Sequence, residues 1–299
     1  MNGYRAKRIK EIFKVKGKIS INDCIKLHLD FKSIPGLIIL EGLLKSFQTA
    51  KPKAEKALGE LIKWDGHLDK ESKGGAVYQV FIYKLLRNVV EPKLGKKLTD
   101  KYLGAGEHPV LLPTSELLGH SVPALIRLLQ DGDSQWIKSS STLIKLIDKT
   151  LISTCLWLEE KLGYNPEEWQ WGKIHTTSFQ HGLTLGQELL SLIFNIGPFP
   201  IGGDTDTVCQ TAYNPRSPYH ATEWCPSIRF IMDVGAWENS LLLCPPGQSG
   251  VIGSYHYSDM AKPWIKGEYI PMLWERKNVE DSAESSLTLI PRNNYEKKI

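Results

Sequence analysis

At 299 residues with 41% hydrophobic content, the chain is long enough for one large core or two smaller ones and falls outside the disordered class. Thirty-seven basic residues against thirty-three acidic ones leave a net charge of +4; that excess is small and interleaved with acids, so a solvated charged face is expected and no nucleic-acid partner. The five cysteines are odd in number and lack C-x-x-C spacing, which indicates neither a zinc site nor a complete disulfide framework and leaves a Cys209–Cys225 bridge open, while no stretch reaches the ~18 apolar residues of a membrane span.

Taken along the chain, the first 160 or so residues read as mostly helical. Ser20 can cap a helix carrying Ile21, Ile25, Leu27 and Leu29, and Pro35 and Pro52 sit where first-turn prolines open new helices. Val77, Val80, Phe81, Leu85 and Val89 recur at helical spacing over residues 75–90, stopping near Pro92. Residues 104–113 read as a loop, with His108 and His120 as surface or capping residues. A strong helix over residues 141–161 puts Leu143, Leu146, Ile147, Leu151, Cys155 and Leu158 on one stripe, with Gly163 as its C-cap.

After Gly163 the pattern shifts to strands over residues 208–213, 228–234, 240–244 and 286–290, interrupted by a helix over residues 183–194. Helices first and strands after predict an α+β fold, divided into a mainly helical part, residues 1–163, and a mixed part, residues 164–299.

Several polar clusters invite a chemical reading. His175 and His181 are six apart, which fits neither one helix face nor H-E-x-x-H, so buried structural histidines beside Trp169, Trp171 and Phe179 are expected. Gly202-Gly203-Asp204-Thr205-Asp206 lacks the D-x-D-x-D-G run of a calcium loop and reads as a tight turn feeding a strand at Thr207-Val208. Arg229 and Asp233, four apart in a strand, would share a face as an inner salt bridge or loop anchor. The loop Pro245-Pro246-Gly247-Gln248-Ser249-Gly250 precedes Ser254-Tyr255-His256-Tyr257-Ser258-Asp259 and brings Ser249, His256 and Asp259 close in sequence. A nucleophile elbow would need glycine where Val251 stands, and triad partners are normally distant in sequence, so these three are assigned to ordering a loop or substrate mouth. An independent Ser249 hydrolase is the lesser alternative.

Five segments in order give the chain a resemblance. They are Arg5-Ala6-Lys7-Arg8-Ile9-Lys10-Glu11, Leu61-Ile62-Lys63-Trp64-Asp65-Gly66, Trp169-Gln170-Trp171-Gly172, Gly202-Gly203-Asp204 with Thr207-Val208, and Ser227-Ile228-Arg229-Phe230-Ile231-Met232-Asp233, followed by the Pro245 loop. Together they resemble the C-terminal end of the large chain of the penicillin acylase (penicillin amidase) family of N-terminal-nucleophile hydrolases. The resemblance implies a four-layer αββα sandwich, incomplete in this chain, and hydrolysis of a linear amide between an acyl group and a β-lactam nucleus or homoserine lactone.

In that family an N-terminal serine, usually followed by Asn and by Trp two positions on, is both nucleophile and base. No Ser-Asn-x-Trp occurs here. The resemblance therefore places the small chain, the nucleophile, the oxyanion-hole asparagine and any calcium ligands upstream. It implies the upstream part as a partner, no cofactor or metal in this segment, no membrane association and no activity for the isolated chain. It leaves localisation open, although family members are often exported. Arg8 is the one catalytic-site residue it carries over; otherwise Arg8 would be a helix-surface arginine paired with Glu11, worth only about 0.2–0.5 kcal/mol. A non-catalytic scaffold or partner-binding remnant is the competing reading.

Overall fold

In the computed structural model, residues 3–108, 112–131, 135–184, 187–216, 218–220 and 224–290 are described. The helical part follows the sequence closely. It comprises α1 (Tyr4–Lys16), α2 (Ile21–His28), α3 (Ile34–Ile39), α4 (Pro52–Ile62), α5 (Lys73–Tyr102), α6 (Ser121–Asp131) and α7 (Ser140–Leu162). Serines open four of these: the side chains of Ser20, Ser33, Ser72 and Ser139 each accept a first-turn backbone N–H, and Ser20 forms a reciprocal capping box with Asp23.

The periodic stripes become the main core. Leu58 and Leu61 of α4, Phe81 and Leu85 of α5, and Leu151 and Leu158 of α7 are buried in one cluster that also takes in Trp169 and Trp171. Pro92 does not end α5. The helix runs on and breaks three residues later at Gly95 (φ 69°), the residue able to adopt a left-handed conformation without strain. Residues 105–108 and 112–114 form a small antiparallel hairpin, β1 and β2, where a loop was expected; His108 lies at the end of β1.

The second part contains α8 (Trp171–Ile174), β3 (Thr176–Phe179), α9 (Glu188–Phe194), β4 (Ile196–Pro200), β5 (Arg229–Ile231), β6 (Leu241–Leu243), α10 (Ala261–Lys266), β7 (Ile270–Pro271) and α11 (Arg276–Asp281). β3 pairs antiparallel with β4, and β5, β6 and β7 form a separate antiparallel sheet in that order. The expected strands at residues 228–234 and 240–244 shrink to three residues each. The expected helix over residues 183–194 is regular only from Glu188, and residues 185–186 lie outside the described set.

Two expected strands do not form. Residues 208–213 have alternating apolar character, yet their backbone bonds elsewhere: Cys209 N–H donates to the Asp30 carbonyl at 3.1 Å and Thr211 N–H to that of Asp204 at 3.1 Å. Residues 286–290 are exposed and make no ladder with any described strand. None of the five cysteines forms a disulfide, so the Cys209–Cys225 bridge is absent. No described helix is long and apolar enough to cross a membrane.

Candidate functional site

A cleft of about 530 Å³ opens between the β3–β4 hairpin and the Pro245–Gly250 loop. Thr177 and Phe179 of β3, Cys225 and Pro226 before β5, Ser249 and Tyr257 contribute to its walls. The loop is fixed from behind. Ser249 N–H donates to the His256 carbonyl and Met260 N–H to that of Pro246, both at 3.0 Å. Gly247 packs so closely that a Cβ there would lie 2.2 Å from the His256 carbonyl oxygen and 2.8 Å from Asp259 Oδ1. This is what the glycine is for: its φ is ordinary and its missing side chain admits the neighbouring turn.

Ser249, His256 and Asp259 are neighbours without forming a relay. The imidazole Nδ1 meets Asp259 Oδ2 at 2.7 Å, and Nε2 meets Glu284 Oε2 at 3.2 Å. The Ser249 hydroxyl instead accepts from Val251 N–H at 3.1 Å. With both ring nitrogens on carboxylates, the imidazole has no site left for the serine proton. The Asp259 hydrogen bond, and then that of Glu284, holds His256 above its ordinary pKa, which favours imidazolium over a general base. Ser249 lines the cleft, whereas His256 and Asp259 stand behind it. Cys225 is no substitute nucleophile, because burial pushes its thiol up to about 11.

Arg8 does not line this cleft. From α1 it grips Asp30 with a bidentate fork, Nε to both carboxylate oxygens at 3.1 and 3.0 Å and Nη2 to Oδ2 at 2.7 Å. Glu11, the partner suggested by spacing alone, is a secondary contact at 3.7 Å from Nη1. Asp30 was invisible as the partner because nothing in the spacing links residue 8 to residue 30. One turn earlier on α1, Arg5 reaches Gln210 Oε1 at 2.8 Å, so Arg8 ties α1 to the segment after α2 and Arg5 ties it to the loop beyond Gly203.

The remaining polar motifs are structural in geometry. His175 is fully buried, stacked on Trp171 with ring centroids 4.3 Å apart; its Nδ1–H donates to the Tyr219 carbonyl and its Nε2 faces the Thr211 hydroxyl at 3.1 Å. Asp204 makes a tight turn, Oδ1 accepting from the N–H groups of Asp206 at 2.7 Å and Thr207 at 3.0 Å, but no strand follows it. Arg229 and Asp233 do not pair. The strand ends at Ile231, so Asp233 leaves the shared face and its Oδ1 accepts from Gly235 and Ala236 instead. Among the described residues no group of three or more His, Cys, Asp or Glu side chains is arranged to hold a metal ion.

Beside this geometry stand the comparisons with known proteins. The penicillin amidase family model matches residues 1–281. The chain belongs to the penicillin amidase family. It is 29% identical over 290 residues to a penicillin acylase 2 proenzyme of Pseudomonas sp. (strain SE83), covering 96% of this chain and 35% of that protein. It is 27% identical over 261 residues to the acyl-homoserine lactone acylase QuiP of Pseudomonas aeruginosa, covering 82% of this chain and 30% of the relative. The chain thus spans about a third of the length of these curated relatives. A thermostable penicillin G acylase from Alcaligenes faecalis shares the fold, with a TM-score of 0.60 at 16% identity over 97% of this chain and 52% of that one.

Proposed function

We propose that this penicillin amidase family chain is the C-terminal part of the large chain of an amidohydrolase that cleaves a linear amide, removing an acyl side chain from a β-lactam nucleus or from an acyl-homoserine lactone. The nucleophilic serine, the small chain and the αββα layers they belong to would be supplied by an upstream segment. The observation that carries this reading is the outer face of the β5–β6–β7 sheet. Arg229 and Ile231 of β5 are buried, while Phe230 between them is 48% exposed and Ile228 and Met232 at the two ends of the strand are 47% and 48% exposed. A short strand that buries its alternate residues and leaves large apolar side chains in water on its other face and at its ends fits a sheet built to pack against a second layer.

Within this reading Arg8 supports the active centre. Nε and Nη2 are committed to Asp30, and Nη1 keeps only the long contact with Glu11 at 3.7 Å, so Nη1 would be the donor turned towards the nucleophile region. Asp30 is thereby the positioning residue that sets the angle of the fork. Ser249 and its loop would form part of the substrate mouth.

The test begins with the DNA upstream of the Met1 codon, searched for a frame encoding Gly-Ser-Asn-x-Trp and co-expressed with this chain. The assembly is expected to hydrolyse phenylacetyl 4-nitroanilide, and Arg8→Lys, checked for folding by circular dichroism, is expected to lower kcat/KM on the order of a hundredfold. Enzyme-like hydrolysis by this chain alone would sink the proposal, as would an active assembly indifferent to Arg8→Lys for the role given to that residue.

A further inference from the structure

Arg229 is only 5% exposed, yet its guanidinium has no ion-pair partner among the described residues. Nη1 donates to the Trp264 carbonyl at 2.8 Å, Nη2 makes a long contact with Cys209 Sγ at 3.6 Å, and Nε, fully buried, has no acceptor. The cation lies over the Trp264 ring, 4.5 Å from its centroid. The titratable groups whose charge it influences are His28, Cys209, Cys225 and Tyr269, none of which carries a negative charge at neutral pH. The nearby carboxylate of Asp30 is already taken by Arg8. A buried cation left without a counter-charge costs several kcal/mol, so its position calls for an anion.

Arg229 also lines a cavity of about 260 Å³. Leu29, Phe31, Ile201, Trp264 and Ile265 supply apolar wall. Charged side chains complete the lining, with Lys70 and Lys266 joining Arg229 against the carboxyls of Asp69 and Glu71, and Lys70 lies 3.6 Å from Glu71. Lys70 and Lys266 each already lie beside a carboxylate, Lys266 at 3.8 Å from Glu268, so the cation left unmatched is Arg229. That suits a single negative charge, and the two carboxyls discriminate against dianions such as phosphate or sulfate. The volume corresponds to roughly eight waters at ~30 Å³ each, room for a carboxylate carrying a short hydrocarbon body.

We propose that this cavity binds a small monocarboxylate, its carboxylate neutralising Arg229 and its hydrocarbon body lying against the apolar wall. The inference does not rest on the amidase reading, since every residue it uses belongs to this chain.

Hexanoate, with hexanamide as its uncharged isostere, is the probe. Titrated calorimetrically into the full chain at fixed ionic strength, hexanoate is expected to bind saturably and at least about tenfold more tightly than hexanamide, the difference expected when the acceptor is ionised. In arginine-labelled protein the Arg229 Nε–H resonance should move with the same saturation curve. Arg229→Gln is expected to abolish binding; because that residue also holds Trp264, the half-buried wall substitution Ile265→Trp, which fills the cavity and leaves Arg229 intact, provides a second loss of binding in a folded chain. Equal affinity for the amide, saturation without movement of the Arg229 resonance, undiminished binding in Ile265→Trp, or no binding of hexanoate would each overturn the proposal.

Discussion

His175 illustrates how one residue's surroundings decide between chemistry and structure. Burial against the Trp171 ring depresses its pKa to about 3, overriding the hydrogen bonds that favour the proton. A base that holds no proton until such acid conditions, and that sees no solvent, is a packing element. The sign of its pH effect follows. Unfolding returns His175 to its ordinary value near 6.5, so its contribution is fully present above that pH and is lost as pH falls towards 3. Denaturant titrations between pH 7 and 4.5 are expected to show stability falling with acid by up to roughly 1.4 kcal/mol per pH unit on account of this one proton. A folded His175→Asn variant should flatten the slope by about that amount; an unchanged slope would mean that the imidazole is not buried neutral. The sequence indicated a structural histidine from its spacing and aromatic neighbours, but Tyr219 and Thr211, more than thirty residues away, left no local trace.

At the scale of elements, the helices were legible and most strands were not, for a physical reason visible in particular segments. A helix satisfies its backbone within itself, so the stripe from Leu143 to Leu158, the Ser139 cap and the stop at Gly163 describe α7 completely. A strand needs a partner: residues 208–213 carry strand-like residues, but Asp30 and Asp204 take their N–H groups and no ladder forms. The cleft was only partly legible for the same reason, since Ser249 was named from its loop whereas Thr177, Cys225 and Tyr257 meet it only through tertiary folding. The two glycines flanking Ser249 separate local conformation from packing. At Gly247 an added methyl would collide with backbone of the His256 turn, whereas at Gly250 it would meet nothing within 4 Å. Gly247→Ala is therefore expected to cost about 1–3 kcal/mol in thermal or chemical unfolding and to raise amide exchange across the loop, with Gly250→Ala within about 0.5 kcal/mol of the parent. Equal effects of the two substitutions would show that the loop does not seat on the His256 turn as described.

For the whole molecule, the larger buried core lies around the helices, and β5 leaves large apolar side chains at the surface. The main core buries its large side chains around α4, α5 and α7, while the second cluster holds only Ile201, Leu243 and Trp264 at its centre. The apolar surface at β5, Phe230 with Ile228 and Met232 at its ends, forgoes about 1 kcal/mol for each large side chain left half in water, and it offers the same gain to any neighbour able to cover it. In the isolated chain the most available neighbour at high concentration is another copy. Self-association through this face is therefore expected, visible as concentration-dependent sedimentation and as binding of an apolar dye. Phe230→Thr combined with Met232→Thr keeps β-propensity at β5 and leaves the buried Arg229 and Ile231 untouched. The double variant should sediment as a monomer with an unfolding midpoint close to the parent's, because neither side chain belongs to the core of this chain. In an assembly with the upstream segment the same variant should lose affinity, because the face that drives self-association is the one that segment would cover. If the parent is monomeric at all concentrations, or if the variant assembles as tightly as the parent, the outer sheet face is a solvent surface and not a layer interface.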